Sequence, residues 1–237
     1  IMLTGVNRTM YDHEGDGLGG LVEKLLSRLS SGMRIRLSSM EPDHVDERLL
    51  DTLSDSRMQP HFHIPIQSAS LAVLRRVGRV YPMEHVEYII ERMRKAKDDP
   101  FIACDVIAGL PGEGEREWEE SYAFLSRVRF AAMHVFPFSP RPGTALYKAR
   151  DRVEERIRDE RAEMLRKLSA EMGREYLSRQ IGKETEVLAE EGDEGTTGNY
   201  LKARIILPEG RALVKGLIYR GRVTGVDPVT VEVSSLA

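Results

Sequence analysis

Within about the first 145 residues, short apolar runs alternate with stretches of helical periodicity, and this repeat limits what the chain can fold into. "IMLTGVN" leads into Leu18, Leu21, Val22, Leu25, Leu26 and Leu29, which share one helical face. "RIRLSSM" leads into Val45, Leu49, Leu50 and Leu53; "HFHIPIQ" into a short helix from Ser70 and a longer one with Val86, Ile89, Ile90 and Met93. "FIACDVIAGLP" leads into Trp118, Tyr122 and Leu125, and "AAMHVFPF" is a fifth strand, closed by "SPRPGT". Repeated strand–helix units imply parallel strands joined by right-handed crossovers. The pattern predicts an α/β chain whose residues 1–149 form a (βα) TIM-like barrel, whole or partial. Val153, Ile157, Met164, Leu168 and Met172 predict a long connecting helix over 150–180. Residues 181–237 change character: "ETEVLAEE", "YLKARIIL", "ALVKGLIY" and "TVEVSSL" read as strands separated by Gly-rich turns such as "EGDEGTTGN", a small antiparallel β-barrel.

The 237 residues are 41% hydrophobic, enough for one sizeable core and a small second domain. No apolar run reaches membrane-spanning length, so no membrane partner is expected. The single cysteine, Cys104, excludes an internal disulfide framework and fits a reducing compartment; the cytoplasm is the expected location. It also excludes a cluster or zinc site built only from cysteines of these residues. Net charge is −3, so the total offers no electrostatic case for nucleic acid. The first residue is Ile1, inside what reads as a strand, so the chain is expected to begin within a domain.

The strands share a polar phase. Phe62, Ile64 and Ile66 alternate with His61, His63, Pro65 and Gln67; Ile35 and Leu37 alternate with Arg34, Arg36 and Ser38. Asp105 stands opposite Val106, and His134 lies between Met133 and Val135. With the apolar faces under the helices, the polar groups converge in the lumen, where packed barrels are mostly apolar. Buried charges and imidazoles need partners or a ligand. A strand histidine is more often a satisfied structural residue than a ligand. The His61/His63 pair at i, i+2 also suits a metal-dependent barrel hydrolase, with Asp105 and His134 as further ligands. Cys104 reads as a small buried hydrophobe.

"AGLPGEGERE" closes the fourth strand and opens a helix. Gly109 and Gly112 allow close backbone approach and Pro111 stiffens the turn; the helix N-terminal amides favour an anion, unless Glu113 answers that dipole instead. Most such turns merely cap a strand, but this one falls at the strand's C-terminal end, where barrels place active sites.

"LTGVN", "RLSSMEP", "HFHIPIQSAS", "DVIAGLPGE" and "HVFPFSPRPGT" occur in the order and spacing of the radical S-adenosylmethionine (SAM) methylthiotransferases. The chain most resembles the branch acting on N6-threonylcarbamoyladenosine beside the tRNA anticodon. "GNYLKARI" resembles that family's RNA-binding TRAM domain. The resemblance implies a radical SAM core without its first strand, S-adenosylmethionine and [4Fe-4S] clusters as cofactors, and tRNA as partner. It implies cofactor contacts at Gly5, Asn7, Glu41, Gln67, Ser68, Gly109 and Leu110, and substrate contacts at His61, His63 and Arg141. Lys202, Arg204, Lys215, Arg220 and Arg222 would contact phosphates, with Tyr200 or Tyr219 stacking on a base; from composition alone these residues also read as solvated surface.

The family's CxxxCxxC loop and a preceding domain with three more cysteines do not occur in this sequence. Ala69 stands where the family usually has Gly, and Gly114 where it usually has Thr; both changes are expected to disturb turns. The expectation is thus the later portion of such an enzyme, inactive without its cluster cysteines, with a missing N-terminal segment carrying the clusters. The competing readings are a non-enzymatic RNA-binding module on the same scaffold and the barrel hydrolase.

Overall fold

The structure is a computed structural model that describes residues 1–5 and 11–236. Parallel strands run in sequence order around a curved wall. β1 (Met2–Leu3) pairs with β4 (Arg36–Leu37), and β5 (His61–Gln67), β6 (Phe101–Ala108) and β7 (Ala132–Pro137) form a three-stranded parallel sheet. Single parallel bridges, Ile35 to Met58 and Ser39 to His63, join the two sheets. The helices α1 (Leu18–Arg28), α2 (Glu47–Thr52), α3 (Leu71–Arg76), α4 (Met83–Ala96) and α5 (Glu115–Val128) fill the crossovers. This is the expected partial (βα) barrel. A small hairpin of β2 (Asp12–His13) and β3 (Asp16–Gly17) precedes α1 and gave no periodic signal.

Alternation decides what is buried. Ile35, Leu37, Phe62, Ile64, Ile66, Ile102, Cys104 and Val106 pack outward under the helices into one core with Val22, Leu49, Val86, Ile89, Trp118 and Leu125. Burial pushes the Cys104 thiol well above its ordinary range, with the Asp105 charge adding to the effect, so it is an inert core residue.

The long helix α6 spans Glu155–Gln180 and lies against β6 and β7. Its buried stripe is Arg161, Ala162, Leu165, Leu168, Met172 and Tyr176, whereas Met164 is exposed. The helix is therefore a wall of the barrel layer as well as a connection. No described helix is long and apolar enough to cross a membrane.

Beyond α6, β8 (Glu184–Ala189), β9 (Glu194–Thr197), β10 (Lys202–Ile206), β11 (Ile218–Val226) and β12 (Val229–Leu236) close into a barrel in the order β10-β12-β11-β8-β9. Its pairings are antiparallel except β10 with β12, which is parallel. Val187, Ala189, Ala203, Ile205, Tyr219, Val223, Val229 and Val231 form its core. Two expectations change. "ALVKG" precedes β11 instead of belonging to it, and "EGTT" is strand β9 instead of turn. Gly195 explains the second: a Cβ there would stand 2.5 Å from the Leu188 carbonyl oxygen, so the glycine marks close strand approach.

The C-terminal barrel is seated by polar contacts. Asn199 donates to the Tyr176 hydroxyl at 2.7 Å and to Gln180 Oε1 at 3.2 Å, and accepts from Thr197 at 2.6 Å. Arg34, at the start of the second strand, pairs bidentately with Glu186 at 2.5 and 2.6 Å. Asn199→Ala would leave these buried partners short of hydrogen bonds, an expected loss of about 1–3 kcal/mol in urea unfolding. A midpoint unchanged from wild type would show that the seating does not depend on this network.

Candidate functional site

The inner faces of β5, β6 and β7 carry two polar layers. At mid-height, Asp105 Oδ1 lies 2.9 Å from His63 Nε2 and 3.0 Å from His134 Nδ1, and His63 Nδ1 lies 2.6 Å from Ser39 Oγ. Strand register creates this cluster: Asp105 is aligned with His134, and His63 with Ala103 and the Ser39 bridge. Burial alone would raise the Asp105 carboxyl, but the His63 and His134 imidazoles outweigh it and hold it below its ordinary range. An ionised carboxylate only accepts, so both imidazoles donate to it, while His63 Nδ1 shares a hydrogen bond with the Ser39 hydroxyl. One ligand atom from each of His63, Asp105 and His134 can lie within 4.8 Å of the others.

The lower layer stands at the strands' N-terminal ends. His61 stacks on Phe101 at 5.5 Å and meets the Tyr200 ring of the C-terminal barrel at 4.7 Å. Arg36 lies 4.5 Å over the other part of this contact, the Tyr200 ring, and donates to the Thr197 carbonyl at 3.2 Å. Tyr176 meets Phe101 edge-on. His61 Nδ1 and Arg36 Nη1 are buried without a hydrogen-bond partner among the described residues. Burial, then the nearby Arg36 charge, brings the His61 imidazole down to about 3. A cleft of about 490 Å³ opens beside Arg36, Tyr200 and Lys202. It lies at the end of the strands that barrels use for stability, not chemistry.

At the C-terminal ends, the expected contact residues divide. Gly5 is exposed at the end of the first strand, and Asn7 lies outside the described residues. Gln67 ends β5 with a left-handed backbone, φ 63°, and its side chain is half-buried. Glu41 pairs with Arg79, which also donates to the Pro65 carbonyl; Tyr81 donates to the Ile66 carbonyl at 2.8 Å. Ser68 does not face the cavity: it is 1% exposed, and its hydroxyl accepts from the Ser70 N–H at 3.2 Å and meets Ser121 of α5. Leu110 points into a satellite core with Val73 and Phe138, so only its backbone can meet a ligand. Arg141 is exposed on the turn after β7.

The turn after β6 is held from behind. Gly109 has φ 73°, and a Cβ there would overlap the Arg158 side chain, so the close neighbour that requires glycine is α6. The Gly109 N–H donates to Glu113 Oε1 at 2.9 Å, and Arg161 donates to the same oxygen at 2.9 Å and to the Glu113 carbonyl at 3.0 Å. Glu113 thus turns back to the loop instead of answering the helix dipole. Burial pushes its carboxyl up against the opposing pull of the Gly109 N–H and Arg161. Arg158 donates to the Phe138 carbonyl and keeps a buried Nε with no hydrogen-bond partner among the described residues. Ala69 has no left-handed backbone, and Gly114 caps α5 by donating to Glu117 at 3.0 Å, so neither substitution disturbs its turn.

The structure does not bring His61 to His63 and the substrate side. His61 serves the lower layer, and the histidine cluster is His63 with His134. Nor are the basic residues of the C-terminal barrel a bare stripe. Lys202 pairs with Glu190 at 2.7 Å, Arg204 with Asp193 at 2.6 Å, Lys215 with Glu191 at 2.7 Å, Arg220 with Glu186 at 3.5 Å and Arg222 with Glu184 at 2.8 Å. Tyr200 is half-exposed but already engaged with His61 and Arg36. Sequence reasoning missed Ser39, Arg79, Arg158 and Arg161. Arg161 had a signal: it stands in phase with Leu165, Leu168 and Met172, a charge on a buried stripe.

The Radical SAM superfamily profile matches residues 1–125. Threonylcarbamoyladenosine tRNA methylthiotransferase MtaB of Treponema pallidum is 35% identical over 224 residues, 94% of this chain and 46% of that protein. The Bacillus subtilis protein of the same name is 35% identical over 85% of this chain and 48% of its own length. A tRNA-2-methylthio-N(6)-dimethylallyladenosine synthase of Endomicrobium trichonymphae is 31% identical over 89% of this chain and 51% of its own length. The chain spans about half the length of the curated relatives it matches. The solved structure of coproporphyrinogen III oxidase (HemN) from Escherichia coli, a radical SAM enzyme, aligns with TM-score 0.53 at 16% identity, covering 65% of this chain and 36% of that one; it supports the fold.

Two measurements test the geometry. Arg161→Met leaves Glu113 buried without its cation, an expected loss of about 3–5 kcal/mol. Adding Glu113→Gln should recover much of that loss; a double variant as unstable as the single one would refute the pairing. His61 is held near 3 in the folded chain against an ordinary 6.5. The unfolded chain therefore binds the extra proton as pH falls from 6.5 towards 3, and stability falls with it. Between pH 7.5 and 5, wild type should lose about 2 kcal/mol more than His61→Phe by urea titration. Parallel losses in the two proteins would place the imidazole in water.

Proposed function

The chain belongs to the radical SAM superfamily, and on that premise we propose that it forms the substrate barrel and RNA-facing part of a tRNA methylthiotransferase acting on C2 of N6-threonylcarbamoyladenosine. One observation carries the reading: identity of 35% runs across 94% of the chain, through both barrels, to a protein named for that activity. The C-terminal barrel takes the part of a TRAM-like RNA-binding domain, with residues 1–149, 150–180 and 181–237 as the working units.

The residues present fit the two cofactors differently. The half-buried Gln67 side chain and the Gly109–Leu110 turn stand at the strand ends, with Gly5 just after the first strand. These would hold S-adenosylmethionine, with Glu41 fixed nearby by Arg79. When bound to a reduced cluster, that cosubstrate supplies the radical chemistry. The protein's own part is to fix the turn through Glu113 and Arg161, to close the lumen floor with Tyr200, and to present Arg141 and the His63 layer to the modified base. A [4Fe-4S] cluster does not fit: it needs several thiolates, and the sole cysteine is sealed in the core. The cluster ligands therefore belong outside these 237 residues in this reading.

The paired bases of the C-terminal barrel set the expected RNA affinity. Each cation must trade a carboxylate for a phosphate, so binding to an anticodon stem-loop should be weak and only mildly salt-dependent. Replacing Glu190, Glu191 and Asp193 by their amides frees Lys202, Lys215 and Arg204. Fluorescence anisotropy should then show about tenfold tighter binding and a steeper salt slope. No gain in affinity would remove this face from the RNA contact.

A further inference from the structure

Resting on the tRNA reading, we infer that the His63–Asp105–His134 cluster selects the N6 substituent of the target adenosine, admitting a polar, hydrogen-bonding group and rejecting an aliphatic one. The relatives pose the choice: one is named for N6-threonylcarbamoyladenosine, another for N6-dimethylallyladenosine. The first substituent carries urea, hydroxyl and carboxylate groups; the second is a hydrocarbon.

The cluster is built to present one polar atom. Ser39 fixes the His63 ring from one side and Asp105 from the other. Asp105 also takes the Nδ1–H of His134, which leaves His134 Nε2 as the nitrogen available to a ligand. His134 is the exposed member, its side chain 59% accessible on the inner face of β7, beside exposed Phe136. Asp105 and His63 are mostly covered, so the ligand meets the imidazole and not a bare carboxylate. His63 and His134 lie with ring centroids 5.3 Å apart, and their two N–H donations offset the Asp105 charge that would otherwise repel an acidic substituent. An aliphatic group pressed on this wall would strip water from imidazole and carboxylate and return no hydrogen bond. His134 is the contacting residue; Asp105 and His63 are positioning residues that act through it.

The test uses the full chain and three anticodon stem-loops identical except for adenosine, N6-threonylcarbamoyladenosine or N6-dimethylallyladenosine at the same position. Wild type should bind the threonylcarbamoyl RNA about tenfold more tightly than the dimethylallyl RNA, the worth of one good hydrogen bond. Asp105→Asn and His134→Ala should each bring that ratio to within about twofold. The exposed His134 variant carries the test if the half-buried Asp105 variant proves unstable. A merely structural role would weaken all three RNAs together and leave the ratio intact, which would overturn the inference. Wild type that binds the three equally would overturn it while sparing the tRNA reading; wild type that binds none would sink both. Stoichiometric zinc uptake in equilibrium dialysis, lost in Asp105→Asn, would make the cluster a metal site and also overturn it.

Discussion

A charged group on the inner face of a parallel sheet must find a partner, and much of this structure follows from how that requirement is met. Asp105 meets it with two imidazoles from neighbouring strands; Glu113, buried in the turn after β6, meets the same need with an arginine from α6 and a backbone amide. Each solution crosses elements distant in sequence, so each also fixes geometry. The first aligns β5, β6 and β7 around one carboxylate. The second ties the turn after β6 to α6, which begins only at Glu155, beyond α5 and β7.

These networks give the inner face a vertical order. The floor is aromatic, made of His61, Phe101, Tyr176 and Tyr200. The middle is the shared carboxylate with its two rings. The rim is mainly backbone, since Ser68 and Leu110 turn their side chains into the helical layer. The order suits an occupant whose apolar or planar part stays high and whose polar substituent reaches down to His134. Coulombic cost sets the boundary between layers: the His61 ring is neutral in the floor, whereas the paired rings above it face an ionised carboxylate.

Periodicity made the strand order and the polar phase legible, because period-2 alternation depends only on which face is buried. Phe62, Ile64 and Ile66 declared the outer face of β5 without any tertiary information. Height along the lumen was not legible. His61 and His63 are equivalent by alternation, and only pairing register assigns one to the floor and the other to the carboxylate. Ion pairing was equally hidden: Lys202 and Arg204 of β10 meet Glu190 and Asp193 of the β8–β9 turn only once β9 and β10 are paired. Strand β9 escaped notice because a glycine chosen for close packing looks, in sequence, like one chosen for a turn.

Tyr200 reaches the floor from a left-handed backbone position, φ 69°, in the loop between β9 and β10. The C-terminal unit thus supplies a stopper for a cavity that another unit builds. Interchange of parts is consequently restricted: a chimera carrying a foreign C-terminal module would leave the His61 ring and the Arg36 guanidinium without their cover.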